Sequence, residues 1–354
     1  MRLHGRQYTR REIEAHVGRM EQLGGIRRMA LAEGNETGAT IIAVRTGAGL
    51  AYEVTPDKGM DISMAAFSGS SLAWQSANGD AHPSYYDDQG TGWLRTAAGG
   101  LFMTCGLISA GSPGMYDGRT YGQHGRAHHT PARQVSAESS WVGDEMELII
   151  RGVIEETSIF GGHLRLRREI RSRMGENAIV IRDLVENAGF KACPHMMLYH
   201  FNFGYPLMTE ETKIRFPGGK VKAREAELPI DGYDRWEQPD ANYEERVYYH
   251  ELPESPDGWA EVAVHQPRFP LAAGITAPAT LKLAWKTALL PRLVQWKMPG
   301  AGVHALGIEP ANCGVEGLEV ERQRGTLRML EPGESVQYEL KLSIDASMDV
   351  EEES

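Results

Sequence analysis

Cysteine is scarce in this chain: Cys105, Cys193 and Cys313 are the three among 354 residues, an odd number, widely spaced and without a C-x-x-C pair. A disulfide framework needs paired cysteines and a zinc ribbon needs closely spaced ones, so both are set aside and a reducing compartment is expected. Long apolar runs are missing too. Nowhere do about eighteen apolar residues run together as a membrane span requires, and the opening Met1–His16 lacks the apolar core of a signal peptide. A soluble, cytoplasmic protein without a membrane partner is expected. Positive charge is in deficit, with 37 Lys and Arg against 48 Asp and Glu for a net charge of −11. No basic run or basic–aromatic stripe is available to track a phosphate backbone, so nucleic acid is not an expected partner.

The usual entry points to cofactor and nucleophile chemistry are also absent. There is no G-x-S-x-G elbow, no Walker A sequence and no G-x-G-x-x-G following a strand. Cofactor-free chemistry gains by elimination, and the expected cofactor complement is none.

Helical periodicity is confined to the start of the chain. Thr9-Arg10-Arg11-Glu12 is a capping-box pattern, Ile13, Val17 and Met20 recur at helical spacing, and Gly24-Gly25 stops the run. Residues 1–25 are therefore expected to form a covering helical segment. From Ala39 onward the chain is a succession of short β-type runs separated by Gly, Pro, Asn and Asp. The clearest are Ala39–Thr46, Glu147–Ile154, His163–Arg171, Ala178–Val185, Thr280–Trp285 and Ser335–Ile344. In His163–Arg171, alternation sets Leu164, Leu166 and Ile170 toward a core and Arg165, Arg167 and Arg171 toward water. Forty glycines suit many tight turns, and no repeat of fixed period points to a propeller or β-helix. A large two-sheet sandwich over residues 26–346 is the simplest architecture left. Asp231–Gly258 is read as a long excursion within it, and 347–354 as an acidic tail.

Three polar groups stand in unusually apolar or glycine-rich settings: His124 in Tyr121-Gly122-Gln123-His124-Gly125-Arg126, His200 in Met197-Leu198-Tyr199-His200-Phe201-Asn202-Phe203-Gly204, and Glu309 in Ala305-Leu306-Gly307-Ile308-Glu309-Pro310. A carboxylate closing an apolar run is either a strand-end ion pair or a group in a low-dielectric pocket whose pKa rises toward neutrality, as proton transfer requires. His200 is either a satisfied core histidine or a catalytic one, and His124 either a solvated loop residue or a ligand-gripping one. His124, His128 and His129 share one short window, which raises a cupin-like metal site as an alternative. The glycine-rich flank and Pro131 disfavour the helix that would bring His124 and His128 to one face, and no H-x-H pair is present. No metal is the expectation.

Taken together, the early His124-Gly125, the mid-chain His200-Phe201-Asn202 and the late Gly307-Ile308-Glu309-Pro310 resemble, in the same order, the aldose 1-epimerase (galactose mutarotase) pattern. Asp57-Lys58-Gly59-Met60-Asp61-Ile62, Gly99-Gly100-Leu101, Thr104-Cys105-Gly106-Leu107 and Gln295-Trp296-Lys297-Met298 through Asn312 resemble the DUF4432 branch of that superfamily, over most of the chain. Tyr199-His200-Phe201-Asn202-Phe203 departs from the Asn-His-Thr-Tyr-Phe-Asn-Leu of galactose mutarotases. The resemblance implies a mainly β fold, a large antiparallel β-sandwich (the galactose-mutarotase-like supersandwich) with a few short helices. It implies a mutarotase that opens and recloses a sugar ring, with Glu309 as base, His200 as acid and His124 hydrogen-bonding near the ring oxygen or C1.

For the substrate the same resemblance offers Arg95, with Arg126, Lys297, Trp296, Asn202 and Asp61 as further contacts, and Trp93 as a second aromatic wall. The cations Arg95, Arg126, Lys297 and Lys58 together suggest an acidic, phosphorylated or sulfonated sugar. Three alternatives stay open: an epimerase or isomerase acting at another carbon, a non-catalytic carbohydrate-binding protein, and the metal-dependent isomerase. A small-molecule sugar is the expected partner, and a homodimer is left open.

Overall fold

The computed structural model describes residues 1–271 and 274–346, so the acidic tail expected over 347–354 lies outside the described residues. The chain is mainly β, built from antiparallel sheets with few and short helices. The capping box is formed as expected, with the Thr9 side chain accepting from the Glu12 backbone N–H and the Glu12 carboxylate accepting from the Thr9 N–H at 2.8 Å. The α-helix it starts is shorter than the periodicity suggested, Arg10–Glu14, and a separate 3-10 turn at Met20–Gln22 carries the rest.

Two large sheets face each other. The smaller has eight strands in the order Arg133–Val142, Glu145–Thr157, His163–Arg173, Ala178–Asn187, Ser335–Ala346, Thr276–Lys286, Trp259–Pro270 and Lys213–Arg215. The larger runs Val221–Ala223, Arg246–Glu251, Arg292–Gly300, Val303–Ala311, Met196–Phe203, Phe102–Leu107, Asp61–Phe67, Leu50–Thr55, Thr40–Arg45 and Gly25–Ala30, with Ser70–Ser71 added beside Asp61–Phe67. Each of the six runs read from the sequence overlaps one of these strands.

The alternation in His163–Arg173 is the expected one: Leu164, Leu166 and Ile170 are fully buried between the sheets while Arg167 is exposed and Arg165 and Arg171 are half-buried. Burying each such side chain contributes about 1.5–3 kcal/mol relative to leaving it in water. Arg168 sits on the same inward face and is also buried. Its charge is met by a two-pronged pair with Asp183, at 2.9 Å from Nε and 2.7 Å from Nη2. Nη1 adds bonds to Asp61 at 2.8 Å and Thr104 at 2.7 Å. A buried guanidinium needs this degree of satisfaction, because an unpaired charge in the core costs several kcal/mol. Facing strands of the two sheets are thereby tied together by polar as well as apolar contacts.

Alternation also gives the larger sheet two working faces. Thr104, Tyr199, Ile308 and Gln295 are buried on or near the inward face, whereas Met103, His200, Asn202, Glu309 and Trp296 project to the other side, where loops cover them.

Candidate active site

On that outward face lies a cavity of about 550 Å³, walled by Trp74, Trp93, Leu94, Val247, Val294 and Trp296 among others, with His124, His200, Asn202, Arg224, Glu245 and Glu309 among its polar lining residues. Apolar and aromatic walls carrying a few converging polar groups are what a small-molecule site requires.

Strand pairing brings the central groups together. Met196–Phe203 and Val303–Ala311 are antiparallel neighbours, and the register that pairs Phe201 with Ile308 sets His200 beside Glu309. His200 Nε2 lies 3.2 Å from Glu309 Oε1. Gly307, across from Trp296, leaves the room for this contact: a Cβ there would stand 2.8 Å from Glu309 Oε1 and 2.8 Å from the Trp296 Cβ.

His124 arrives from the covering loop. It adopts a positive φ of 55°, which few side-chain-bearing residues do, and the backbone is held there by His124 N–H to Gly111 O at 2.8 Å and Gly106 N–H to His124 O at 3.0 Å. Its ring packs against Trp93 at 4.8 Å and edge-on toward His200 at 6.1 Å.

The electrostatics follow from burial. Loss of water pushes the Glu309 carboxyl up to about 8, reinforced by the Glu245 charge and opposed by Arg224. Burial pulls His200 down to about 3, with His124 adding to the effect, and pulls His124 down to about 4. Around neutrality the His200–Glu309 pair thus carries one proton, and it rests on the carboxyl. Four buried polar atoms of the lining have no partner among the described residues: Trp93 Nε1, His124 Nδ1, His200 Nδ1 and Asn202 Oδ1. Orphaned groups of this kind are costly in a closed core and become useful when a polar ligand satisfies them.

One wall is a polar relay. The Trp296 indole N–H donates to Glu245 at 2.9 Å, Arg224 Nη2 donates to Glu245 at 3.1 Å, and Arg224 Nε also bonds Glu225. Every cation lining the cavity among the described residues is thus already paired.

The residues singled out from the sequence divide into two sets. His124, His200, Asn202, Trp93, Trp296 and Glu309 line the cavity; Arg95, Arg126, Lys297, Lys58 and Asp61 do not. Arg95 is exposed at the end of a short 3-10 turn, while Arg126 borders a separate small pocket beside Glu156. Lys297, one residue from Trp296, points to the opposite face of its strand and donates to Gly232 O at 2.7 Å and to Glu237 at 3.2 Å. Lys58 is buried against Thr96 O at 2.6 Å. Asp61 is held between the sheets by Thr104, His128 and Arg168. The cations that suggested an anionic sugar therefore stand outside the cavity.

Arg224, Glu245 and Trp74 line the site without having been read from the sequence. Arg224 and Glu245 fall in polar, motif-free stretches, and only the pairing of Val221–Ala223 and Arg246–Glu251 at the sheet edge carries them here. Among the described residues no three His, Cys, Asp or Glu groups converge as a metal site would require. His128 is occupied by Asp61 at 2.7 Å, and His129 by Thr96 at 2.9 Å.

Comparison with known proteins agrees with the fold. The family model described as a domain of unknown function, DUF4432, matches residues 36–344. A Klebsiella pneumoniae protein provisionally named an aldose 1-epimerase superposes with a TM-score of 0.79 at 24% identity, over 90% of this chain and 83% of its own. A galactose 1-epimerase from Lactobacillus acidophilus gives 0.58 at 11% identity, over 92% and 100%. An Escherichia coli K12 protein, again provisionally named an aldose 1-epimerase, gives 0.56 at 16%, over 88% and 100%. At these identities the likeness is one of fold, that of the galactose mutarotase-like proteins. The chain matches no curated protein.

Proposed function

We propose, from the premise that this chain belongs to the DUF4432 family, that it interconverts the anomers of a neutral aldose, with His200 and Glu309 as the acid–base pair. The observation that carries this reading is the 3.2 Å contact between a buried carboxyl and a buried imidazole at the floor of an aromatic-walled cavity.

Mutarotation needs one group to remove the anomeric hydroxyl proton and another to protonate the ring oxygen. Passing the shared proton from Glu309 to His200 Nε2 gives carboxylate and imidazolium with no change in the net charge of the site. Glu309 then takes the O1 proton as C1–O1 becomes a carbonyl. The C1–O5 bond breaks and O5 receives the His200 proton. Rotation about C1–C2 presents the other carbonyl face, O5 attacks C1, His200 recovers its proton and Glu309 returns one to O1. Ring closure leaves Glu309 as carboxylate and His200 as imidazolium, and return of the proton from His200 Nε2 to Glu309 restores the starting pair. In this reading His124, 6.1 Å ring to ring from His200, hydrogen-bonds near C1 or O5. Trp74, Trp93 and Trp296 offer apolar faces to sugar C–H surfaces.

Charge supports a neutral substrate. An anionic group would meet the Glu245 carboxylate, and Arg224 is already engaged by Glu245 and Glu225. Arg224 and Glu245, as donor and acceptor side by side, suit sugar hydroxyls instead.

The test is anomer exchange followed by NMR across neutral, uronic, phosphorylated and sulfonated aldoses. Faster exchange of a neutral aldose, lost in Glu309→Gln and His200→Ala, is the expected result. Preference for an anionic aldose defeats the charge reading. A new sugar in the spectrum indicates epimerisation at another carbon, and binding without turnover indicates a carbohydrate-binding protein.

A further inference from the structure

A second pocket, of about 250 Å³, opens at the edge of the sandwich where Lys213–Arg215 and Val221–Ala223 end their respective sheets. It lies under the excursion that contains Tyr233 and shares no lining residue with the cavity of His200 and Glu309. Phe216, Tyr233 and His250 wall it, and the exposed Asp234 stands at its mouth.

The hydrogen-bond pattern fixes the tautomer of His250. Gln295 donates its amide N–H to Tyr233 O at 2.7 Å, so its oxygen faces His250 Nε2 at 2.9 Å and accepts from it. With the proton on Nε2, neutral His250 has a bare lone pair on Nδ1, and that atom is buried without a partner among the described residues, on a residue only 4% exposed. Burial holds this imidazole neutral, down to about 4. The pocket therefore calls for a hydrogen-bond donor.

The rest of the lining selects its charge. Phe216 stacks on His250 at 4.3 Å between ring centres, and Tyr233 lies 5.5 Å from each of the two, presenting aromatic faces that attract cations. The Asp234 carboxylate makes no hydrogen bond or salt bridge among the described residues. Of the cations around the pocket, Arg215 pairs with Glu261 at 3.3 Å, Arg235 with Asp231 and Lys297 with Glu237, while the exposed Lys213 and Lys220 adjoin lining residues without being lining residues themselves.

We propose that this pocket binds a small protonated primary amine, which donates an N–H to His250 Nδ1 while its charge faces Asp234 and the aromatic walls. The site is separate from the sugar cavity and does not depend on the function assigned to it.

The experiment titrates the full chain with n-butylammonium, tetramethylammonium and n-butanol, by calorimetry and by the ¹⁵N shift of the His250 ring. Butylammonium is expected to bind and to move the Nδ1 resonance. Tetramethylammonium, which has the charge and no N–H, should bind about tenfold more weakly, the worth of a charge-assisted hydrogen bond. Asp234→Asn, at an exposed position that leaves the core untouched, should weaken butylammonium by about three- to fivefold. Butanol binding as well as butylammonium overturns the cationic ligand. Absence of any shift at the His250 ring in protein with an unchanged melting curve overturns the site and leaves only bound water at Nδ1.

Discussion

His200 and Glu309 project from adjacent antiparallel strands into one cavity, with Nε2 and Oε1 3.2 Å apart and neither group open to bulk water. A proton can cross that contact without altering the charge of the site. In the proposed reaction the pair supplies an acid and a base from a single proton, in an environment where burial has already displaced both pKa values from their ordinary range.

Removing either member should abolish anomer exchange while leaving the fold intact. Glu309→Gln and His200→Ala are each expected to lower kcat by about 10²–10⁴, the usual range for a lost general acid or base. NMR exchange spectroscopy measures the rate, and circular dichroism checks the fold.

The pH dependence has a defined sign. Glu309 holds its proton up to about 8 in the folded chain against 4.5 ordinarily. Catalysis that begins from the one-proton pair should decline as pH rises through about 8, and residual activity in Glu309→Gln should lack that limb. Stability is linked to the same group. Between 4.5 and 8 the folded state keeps a proton that the unfolded state releases, so wild-type stability falls as pH rises across that window. Thermal melts should show Glu309→Gln gaining on wild type from pH 4.5 to 8, with the difference constant above.

Substrate gripping separates the cavity's arginine from the others. Arg224→Ala should raise KM for the neutral aldose by about tenfold, the scale of a lost charged hydrogen bond. Arg95→Ala, at an exposed position outside the cavity, should leave kcat/KM within about twofold, as surface substitutions do. Equal effects from both variants would contradict this placement.

Gly307 is a steric test of the pair. An alanine Cβ there meets both Glu309 Oε1 and the Trp296 Cβ at 2.8 Å, so Gly307→Ala should cost about 1–3 kcal/mol of stability and displace the carboxyl. Denaturant melts report the first effect, and loss of anomer exchange at temperatures where the variant is folded reports the second.

Between the sheets, Asp183→Ala strips the two-pronged partner from buried Arg168. A loss of about 3–5 kcal/mol in denaturant unfolding is expected. A change near zero would mean that Asp61, Thr104 and the Gly59 carbonyl satisfy the guanidinium without it.

Much of this molecule can be read from residue order. Period-two alternation in His163–Arg171 assigns the inward and outward faces because a strand offers its side chains no other choice. The capping box at Thr9 and Glu12 marks a helix start locally. His124, His200 and Glu309 stand out because polar groups in apolar or glycine-rich runs need a reason to be there. What local sequence does not carry is which side of a strand opens onto a cavity. Lys297 and Trp296 are neighbours in sequence and face opposite ways, so the lysine meets Gly232 and Glu237 while the tryptophan walls the site. Arg126 follows His124 by two residues yet borders a different pocket.

The sequence by itself determined the β architecture and the three groups that carry the proposed chemistry, since patterning and composition act on neighbours along the chain. Tertiary structure alone decided the composition of the cavity. The register between Met196–Phe203 and Val303–Ala311 joined His200 to Glu309, and the edge strands brought in Arg224 and Glu245. Burial then reset their proton affinities, and burial depends on everything that packs around a group rather than on what precedes or follows it.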